Sequence, residues 1–584
     1  MCSRNSWWAC LLRIPDAGLL LVLLAGGAPV AQGQNVTPDL EYQRYLAAAQ
    51  RIEAESTFGE EISPRSGALS FRQVDLELIG TGPAIRIART FGVGGRTHRL
   101  TDTSGNRMGE WELVIPRLKT LASAKDFAVS SSSPRGWQVG AASNARCTQM
   151  SSPGPVIPLK DLPIETSTWW GGYQLVTDRG EEEAVLGRIN QSPMGAPAHV
   201  ARTKSNWLVS CLPGTSNGEP GEAFLGTAPD GTRYWFDYLV YQDAPSVGAP
   251  GPGALPRKYA SMLVSRIEDR FGNSLQYTYS GGLLTSISAS DGRSVSLQND
   301  GVNVTSVSAI SDSGSRTWSY GYANGALTRV GLPDGSAWTF ALGDLPDSQI
   351  ASLTTSSGNC SGRAPVGGLS GVAKSGRITS PSGASALYTV MPLHSGRSNV
   401  PKSCWSYFGG GALYADVPKD SWSFAITSKV VSGPGLPSRS WLFQYSEGNS
   451  SWDEDCTGGC PGTVWADQIS PDGSRRRLIF SNRYGGDENL TLREEYFAAG
   501  TGALLRSVDY AYAISPPVES ASPYPWRSVG LDRTPRSNKL ISERWTPLLS
   551  TTIRQDGEVF RHIVNQYDIL ARPVSVTRSS GVAP

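Results

Sequence analysis

Residues 267–293 read IEDRFGNSLQYTYSGGLLTSISASDGR, and the punctuation of this stretch decides the fold. Tyr277 and Tyr279 stand at alternate positions, which puts both on one face of an extended strand. Leu284 to Ser288 (LTSIS) supplies a return strand, and Asp291-Gly292 then leads into a further run, Arg293 to Leu297. Asp-Gly recurs at Asp230-Gly231, Asp334-Gly335, Asp472-Gly473 and Asp556-Gly557. Both residues tolerate the positive φ of a two-residue hairpin turn, so each dipeptide is read as such a turn. Strand-like runs follow them at Thr232 to Tyr238, Ser336 to Phe340, Arg475 to Phe480 and Val559 to Val564. An isolated hairpin is barely stable in water, so these units must stack or join a common sheet.

Outward from this repeat the chain keeps the same grammar. Its 584 residues are too many for one compact core, which implies several β domains or one extended array. Apolar residues make up 39%, yet 17 Trp and 21 Tyr are present, a mixture suited to sheets with one wet face. The 52 Lys and Arg balance 51 Asp and Glu, which leaves no footprint for nucleic acid. One helix is expected in residues 34–56, with Thr37 as N-cap, Pro38 in the first turn, and Tyr42, Tyr45, Leu46, Ala49 and Ile52 at helical spacing.

The first 33 residues have the form of an export signal. Arg4 and Arg13 precede an apolar stretch centred on Leu19 to Leu24, and Ala31-Gln32-Gly33 offers small residues for cleavage. The chain is therefore expected to be secreted or displayed at the cell surface, meeting the membrane only during export. Cleavage after Gly33 leaves six cysteines, Cys147, Cys211, Cys360, Cys404, Cys456 and Cys460, which an oxidising compartment would pair. Sequence order suggests Cys147–Cys211, Cys360–Cys404 and Cys456–Cys460, one connectivity of the 15 that six cysteines allow.

Residues that could carry chemistry are scattered. His98, His199, His394 and His562 fit no metal-ligand spacing. A GxSxG pattern places Ser216 between Gly214 and Gly218, but Pro213 and Pro220 flank it where a nucleophile elbow needs a strand and a helix. Glu181, Glu182 and Glu183 read as a solvated turn, and Asp453, Glu454 and Asp455 match no EF-hand. No catalytic residue, cofactor or metal site is therefore expected. Trp169, Trp170, Trp235, Trp405, Trp441, Trp452 and Trp465 stand in loop-rich stretches, where exposed rings would recognise sugars or peptides by stacking.

The segment 267–293 resembles an RHS/YD repeat: Asp269, the Gly272-Asn273 turn, Tyr277-x-Tyr279, a Leu-rich return and Asp291-Gly292-Arg293 follow in the family's order. Residues 318–340, WSYGYANGALTRVGLPDGSAWTF, repeat the scheme with Tyr320, Tyr322, Asp334 and Gly335. Residues 567–574, YDILARPV, resemble the family's YDxxGR core, with Tyr567, Asp568 and Arg572 matching and Ala571 in the place of Gly. Residues 64–91 resemble the region preceding the repeats in secreted members, with Asp75, Pro83, Arg89 and Phe91 in order. The resemblance implies an all-β chain of antiparallel hairpin repeats that form an extended or spiralling sheet or shell. It also implies a partner, either an enclosed toxin domain or a cell-surface protein or glycan. The family's closing Asp-Pro-x-Gly-Leu motif is missing, so the chain is expected to be the front part of such a protein or a short relative.

The expected plan is a signal at 1–33, the helix at 34–56, a β-rich region at 57–255 and repeat hairpins at 256–345. A disulfide-bearing Gly/Ser/Trp-rich insertion at 346–470, distinct from the shell wall, and further hairpins at 471–584 complete it. The expected function is structural: a non-enzymatic exported shell for toxin packaging or cell–cell contact. The alternative is a secreted adhesin or carbohydrate-binding protein using the Trp-rich loops.

Overall fold

The period-two alternation runs through nearly the whole chain, because Val, Ile, Tyr and Trp on one face of each strand find a continuous surface to pack on. The computed structural model describes residues 57–94, 106–123, 128–129, 137, 145–150, 156–157, 170, 172–187, 198–247, 255–311, 314–348, 353–354, 364–365, 372–402, 404–406, 413–415, 419–485, 487–513, 546–568 and 570–582. The expected signal and the expected helix lie outside them. The described residues are almost entirely strand, with one 3-10 turn at Asp453–Asp455 and no α-helix among them.

Twenty-seven strands form one antiparallel sheet. From Leu208–Leu212 to Pro573–Val582 its members pair largely in chain order, each strand with the next. Leu255–Glu268 is the branch point: Arg257–Leu263 pairs with Arg117–Ser123, while Arg266–Glu268 pairs with Ser274–Gln276. The sheet does not close into a barrel, and Pro573–Val582 is laddered only to Glu558–Tyr567 among the described residues. Instead it spirals. Arg202, fully buried near the start of the sheet, donates through Nη2 to the carbonyl of Leu570 in the last hairpin turn at 2.7 Å.

Because consecutive strands are antiparallel, the connections alternate between two rims. One rim is built of tight turns, including 229–231, 270–272, 290–292, 333–335, 381–383, 434–435, 471–473 and 556–557. The long connections, 213–222, 342–373, 397–419, 446–462 and 482–490, all fall on the other.

The turns differ from expectation in one respect. At Asp230, Asp291, Asp334 and Asp472 the loop has three residues, and positive φ occurs at the Gly alone, for example 86° at Gly335. The residue two before Asp donates to the carbonyl of the residue two after it, and its own carbonyl accepts from the Gly, as in Leu332 N to Ser336 O at 2.8 Å and Gly335 N to Leu332 O at 3.0 Å. The Asp carboxylate instead accepts the N–H two residues on, as Asp334 does from Ser336 at 2.9 Å. Of the five Asp-Gly dipeptides, Asp556-Gly557 alone is a two-residue turn with both φ positive, at 51° and 76°.

A second, five-stranded sheet comprises Glu60–Ile62, Leu69–Leu78, Ile85–Gly92, Arg107–Met108 and Trp111–Leu113. It packs on one face of the large sheet, which we call the inner face. One apolar core joins Phe58, Phe71, Ile87 and Trp111 of the small sheet to Phe236, Val307, Tyr388 and Ile426 of the large one. Phe71 meets Tyr388 edge-on at 4.9 Å between centroids, and Trp111 meets Phe340 at 5.4 Å. The expected β-rich region at 57–255 is thus two things: the strands from Glu60–Ile62 to Trp111–Leu113 lie on the inner face, while Arg117–Ser123 and the strands from Gln174–Val176 to Arg233–Val247 contribute wall.

Residues 346–470 also depart from expectation. Lys374–Thr379, Ser385–Gly396, Asp420–Gly433, Leu436–Tyr445 and Thr463–Ile469 are strands of the large sheet, not an insertion beside it. The Gly- and Ser-rich stretches that broke the repeat rhythm are the long rim connections between these strands.

Candidate functional site: the inner face of the large sheet

The tyrosines of the repeat serve the sheet in a specific way. Antiparallel strands here carry bulges, and a bulge turns one carbonyl out of the ladder, which must then find another donor. The hydroxyls of Tyr279, Tyr322, Tyr445 and Tyr512 donate to Val264, Val304, Ile426 and Thr491 carbonyls at 2.7, 2.5, 2.9 and 2.8 Å. Tyr567 does the same to Leu548. In each case the acceptor lies on the preceding strand, immediately before the residue skipped in the register. Burial raises the pKa of Tyr279, Tyr322 and Tyr445, and pushes Tyr512 up to about 12, so all four stay protonated donors. Tyr277 is buried on the inner face.

Other repeat residues anchor the small sheet. Asp291 accepts the Thr81 N–H at 3.1 Å and bonds Arg293, which itself reaches the carbonyls of Leu78 and Pro83. The bonds from Arg293 hold the Asp291 carboxyl at about 2. Asn273, fixed by Asp269 at 2.9 Å, donates to the Thr81 carbonyl at 3.3 Å, and Gly272 closes that turn at φ 90°. Tyr320 donates to Asp75 at 3.1 Å, and Asp75 pairs with fully buried Arg89 at 2.9 Å. The Arg89 guanidinium lies 4.3 Å from the Trp111 centroid. Lys429 of the large sheet pairs with buried Glu60, and Ile426 N–H donates to the Gly67 carbonyl at 2.9 Å. At Gly67 the approach is so close that a Cβ would lie 2.3 Å from that of Ala425. Glu60, Lys429 and Arg202 escaped sequence reading, since nothing local marks a charge for burial.

The final hairpin closes on itself: Asp568 accepts from Leu570, from the Arg572 backbone at 2.9 Å and from the Arg572 side chain at 2.6 Å. Ala571 takes the positive φ, 54°, that Gly fills elsewhere.

Beyond Phe443 the inner face changes character. Paired register aligns Phe443, Gln468, Arg476, Tyr496 and Arg506 in one row. Arg476 and Arg506 lie 5.7 and 5.5 Å from the Tyr496 centroid. In the adjacent row Glu494 accepts from Arg476 at 2.9 Å, from Tyr496 at 2.8 Å and from Tyr510 at 3.0 Å. Burial works to raise the Glu494 pKa, but these bonds outweigh it and hold the group below its ordinary value. Past this cluster apolar side chains are exposed on the same face, Phe560 at 46% and Val576 at 43%.

The other candidates resolve into structure. Cys147 is bonded to Cys211 and Cys456 to Cys460, with Cα separations of 5.5 and 5.2 Å. Cys360 lies outside the described residues, and with it the Cys360–Cys404 pairing. Trp170 and Trp452 are buried and cannot stack on a ligand. Trp235, Trp441 and Trp465 are half-buried and already capped by cations, Trp465 by Arg477 at 4.1 Å and Trp441 by Lys429 at 4.8 Å. Trp169 and the Trp405 side chain lie outside the described residues. Ser216 Oγ bonds the Asp237 carboxylate at 3.0 Å rather than a histidine. Glu182 pairs with Lys119 and Glu183 accepts from Ser205, while Glu454 pairs with Lys402. Among the described residues no three His, Cys, Asp or Glu cluster as a metal site would require.

No protein-family model matches the chain, and no curated protein matches it. Among solved structures it is similar to the crystal structure of TcdB2-TccC3, at 8% identity and a TM-score of 0.14. The similarity covers 86% of this chain and 26% of that one, so the chain spans about a quarter of its length. A likeness at this level carries no argument about this chain.

Proposed function

We propose that this protein is an exported, non-enzymatic β-shell that holds polypeptide against its inner face, in toxin packaging or in contact between cells. The repeat-like sequence at 267–293, 318–340 and 567–574 supports membership of the RHS/YD class. The observation that carries the reading is the division of the inner face. Up to about Lys429 it is occupied by the chain's own small sheet, through ion pairs, turns and a shared apolar core. Beyond Phe443 the same face carries the half-buried row Arg476–Tyr496–Arg506 and then exposed Phe560 and Val576, a surface suited to a further polypeptide. The capped and buried tryptophans weigh against a glycan-binding use of the rim.

The test is protection. An unstructured, protease-sensitive reporter is joined after Pro584, and its digestion is followed in the intact chain and in a chain opened by Arg202→Glu. A shell is expected to slow digestion of the reporter, and the substitution to restore it. Digestion at the rate of the free reporter in both proteins would contradict the reading.

A further inference from the structure

The uncovered part of the inner face has a chemistry of its own, and it narrows what the shell can hold. The row Arg476–Tyr496–Arg506 sets two guanidiniums beside one aromatic ring, and Glu494, the carboxylate of the adjacent row, is already taken by three donors. Arg506 has no carboxylate partner among the described residues, and it is half-buried, where a charge pair is worth more than at the open surface. Its neighbours on the strand, Leu504, Leu505, Ser507 and Val508, are apolar or hydroxyl-bearing, and the row continues through Gln555 to Glu558 two strands away. Exposed Arg439 lies on the same face, four residues and about 14 Å along the strand from Phe443. Beside Arg476 a small cavity of about 30 Å³ is lined mainly by Ile62, Pro64, Phe443, Tyr445 and Leu478, with Asp467 and Gln468 also in its wall. That is room for a methyl or two, or for a single water.

Together these features combine the guanidinium of Arg506, that of Arg476 beside it, an aromatic platform and a mainly apolar notch within one patch. Guanidinium forks recognise carboxylates bidentately, and the notch favours an apolar side chain next to the acid. On the outer face at the same level the arginines are paired: Arg475 and Arg477 share Asp467, and Arg493 and Arg554 share Asp509.

We infer that this patch binds an acidic segment of a polypeptide, with an Asp or Glu carboxylate on Arg506 and Arg476 and an adjacent small apolar side chain in the notch by Phe443. The inference rests on the shell reading above and specifies the chemistry of what is held.

The test uses the full chain and fluorescein-labelled poly-L-glutamate, with poly-L-lysine and an oligo-dT of equal length as comparisons, read by fluorescence anisotropy. Poly-L-glutamate is expected to bind and poly-L-lysine not to. Arg506→Gln is expected to weaken binding about fivefold or more, Arg506→Lys to retain most of it, and outer-face Arg554→Gln to leave it unchanged. The lysine variant separates loss of charge from loss of fold. Absence of poly-L-glutamate binding, or binding that Arg506→Gln does not move, would overturn the inference. Tighter oligo-dT binding abolished by Arg506→Gln would overturn it in favour of a nucleic-acid surface. Because the reporter experiment measures enclosure and this one measures affinity, a shell that fails here and a binding surface that encloses nothing give different results.

Discussion

The Tyr279 hydroxyl donates to the Val264 carbonyl at 2.7 Å, the carbonyl that the bulge at Ser265 turns out of the ladder. The same relationship recurs at Tyr322, Tyr445, Tyr512 and Tyr567, each on the strand after a bulge. The second tyrosine of the repeat is thus a cap for a backbone defect. Its removal leaves a buried carbonyl without a donor. Tyr279→Phe and Tyr445→Phe are each expected to cost about 1–3 kcal/mol in urea unfolding, with the far-ultraviolet spectrum unchanged. A change within a few tenths would mean that water replaces the hydroxyl.

Acid should loosen the small sheet before the wall. The Asp291 carboxyl is held at about 2 by Arg293 and by the Thr81 N–H, below its value of about 3.9 in an unfolded chain. A depressed folded-state pKa contributes stability that is present above pH ~4 and is lost as pH falls through about 2. Amide exchange at residues 78–83 is therefore expected to quicken between pH 4 and 2, and Asp291→Asn to flatten that dependence.

The turn chemistry makes a narrower claim. Gly335 sits at φ 86° with open space where a Cβ would go, so only backbone conformation opposes a larger residue. Gly335→Ala is expected to destabilise by about 1 kcal/mol, and Gly335→Asn by less, since Asn tolerates that region better. Equal costs for the two would point to a lost contact instead.

Lys429 and Glu60 join the wall to the small sheet, with side chains 7% and 1% exposed. Removal of one partner strands a buried charge. Lys429→Met is expected to cost about 3–5 kcal/mol, and addition of Glu60→Gln to return part of it. Thermal unfolding of the two variants checks this; a double variant no better than the single one would deny the coupling.

Much of this was legible in the sequence, and the remainder was hidden for identifiable reasons. Alternating tyrosines and Asp-Gly dipeptides are local signals, and they marked the strands and their turns correctly in kind. The number of residues per turn was not legible, because Asp in these loops serves through its carboxylate and not through a positive φ, as Asp334 shows. Residues 64–91 were recognisable as a distinct opening stretch, but their position on the inner face depends on contacts such as Thr81 with Asp291, 210 residues apart. The tryptophans looked like platforms because the residues that cap them, Arg477 on Trp465 and Lys429 on Trp441, come from neighbouring strands. The row Arg476–Tyr496–Arg506 appears only once register is known, since each member lies on a different strand.

The central claim is that the large sheet holds polypeptide against its inner face, beginning with its own residues 60–92. Hydrogen–deuterium exchange on the full chain tests it directly. Amides of Phe71, Ile87 and Arg89 are expected to exchange as slowly as those of Val307 and Tyr388 in the wall, because all are buried where the two sheets meet. Exchange of residues 60–92 within seconds, while the wall stays protected, would contradict it.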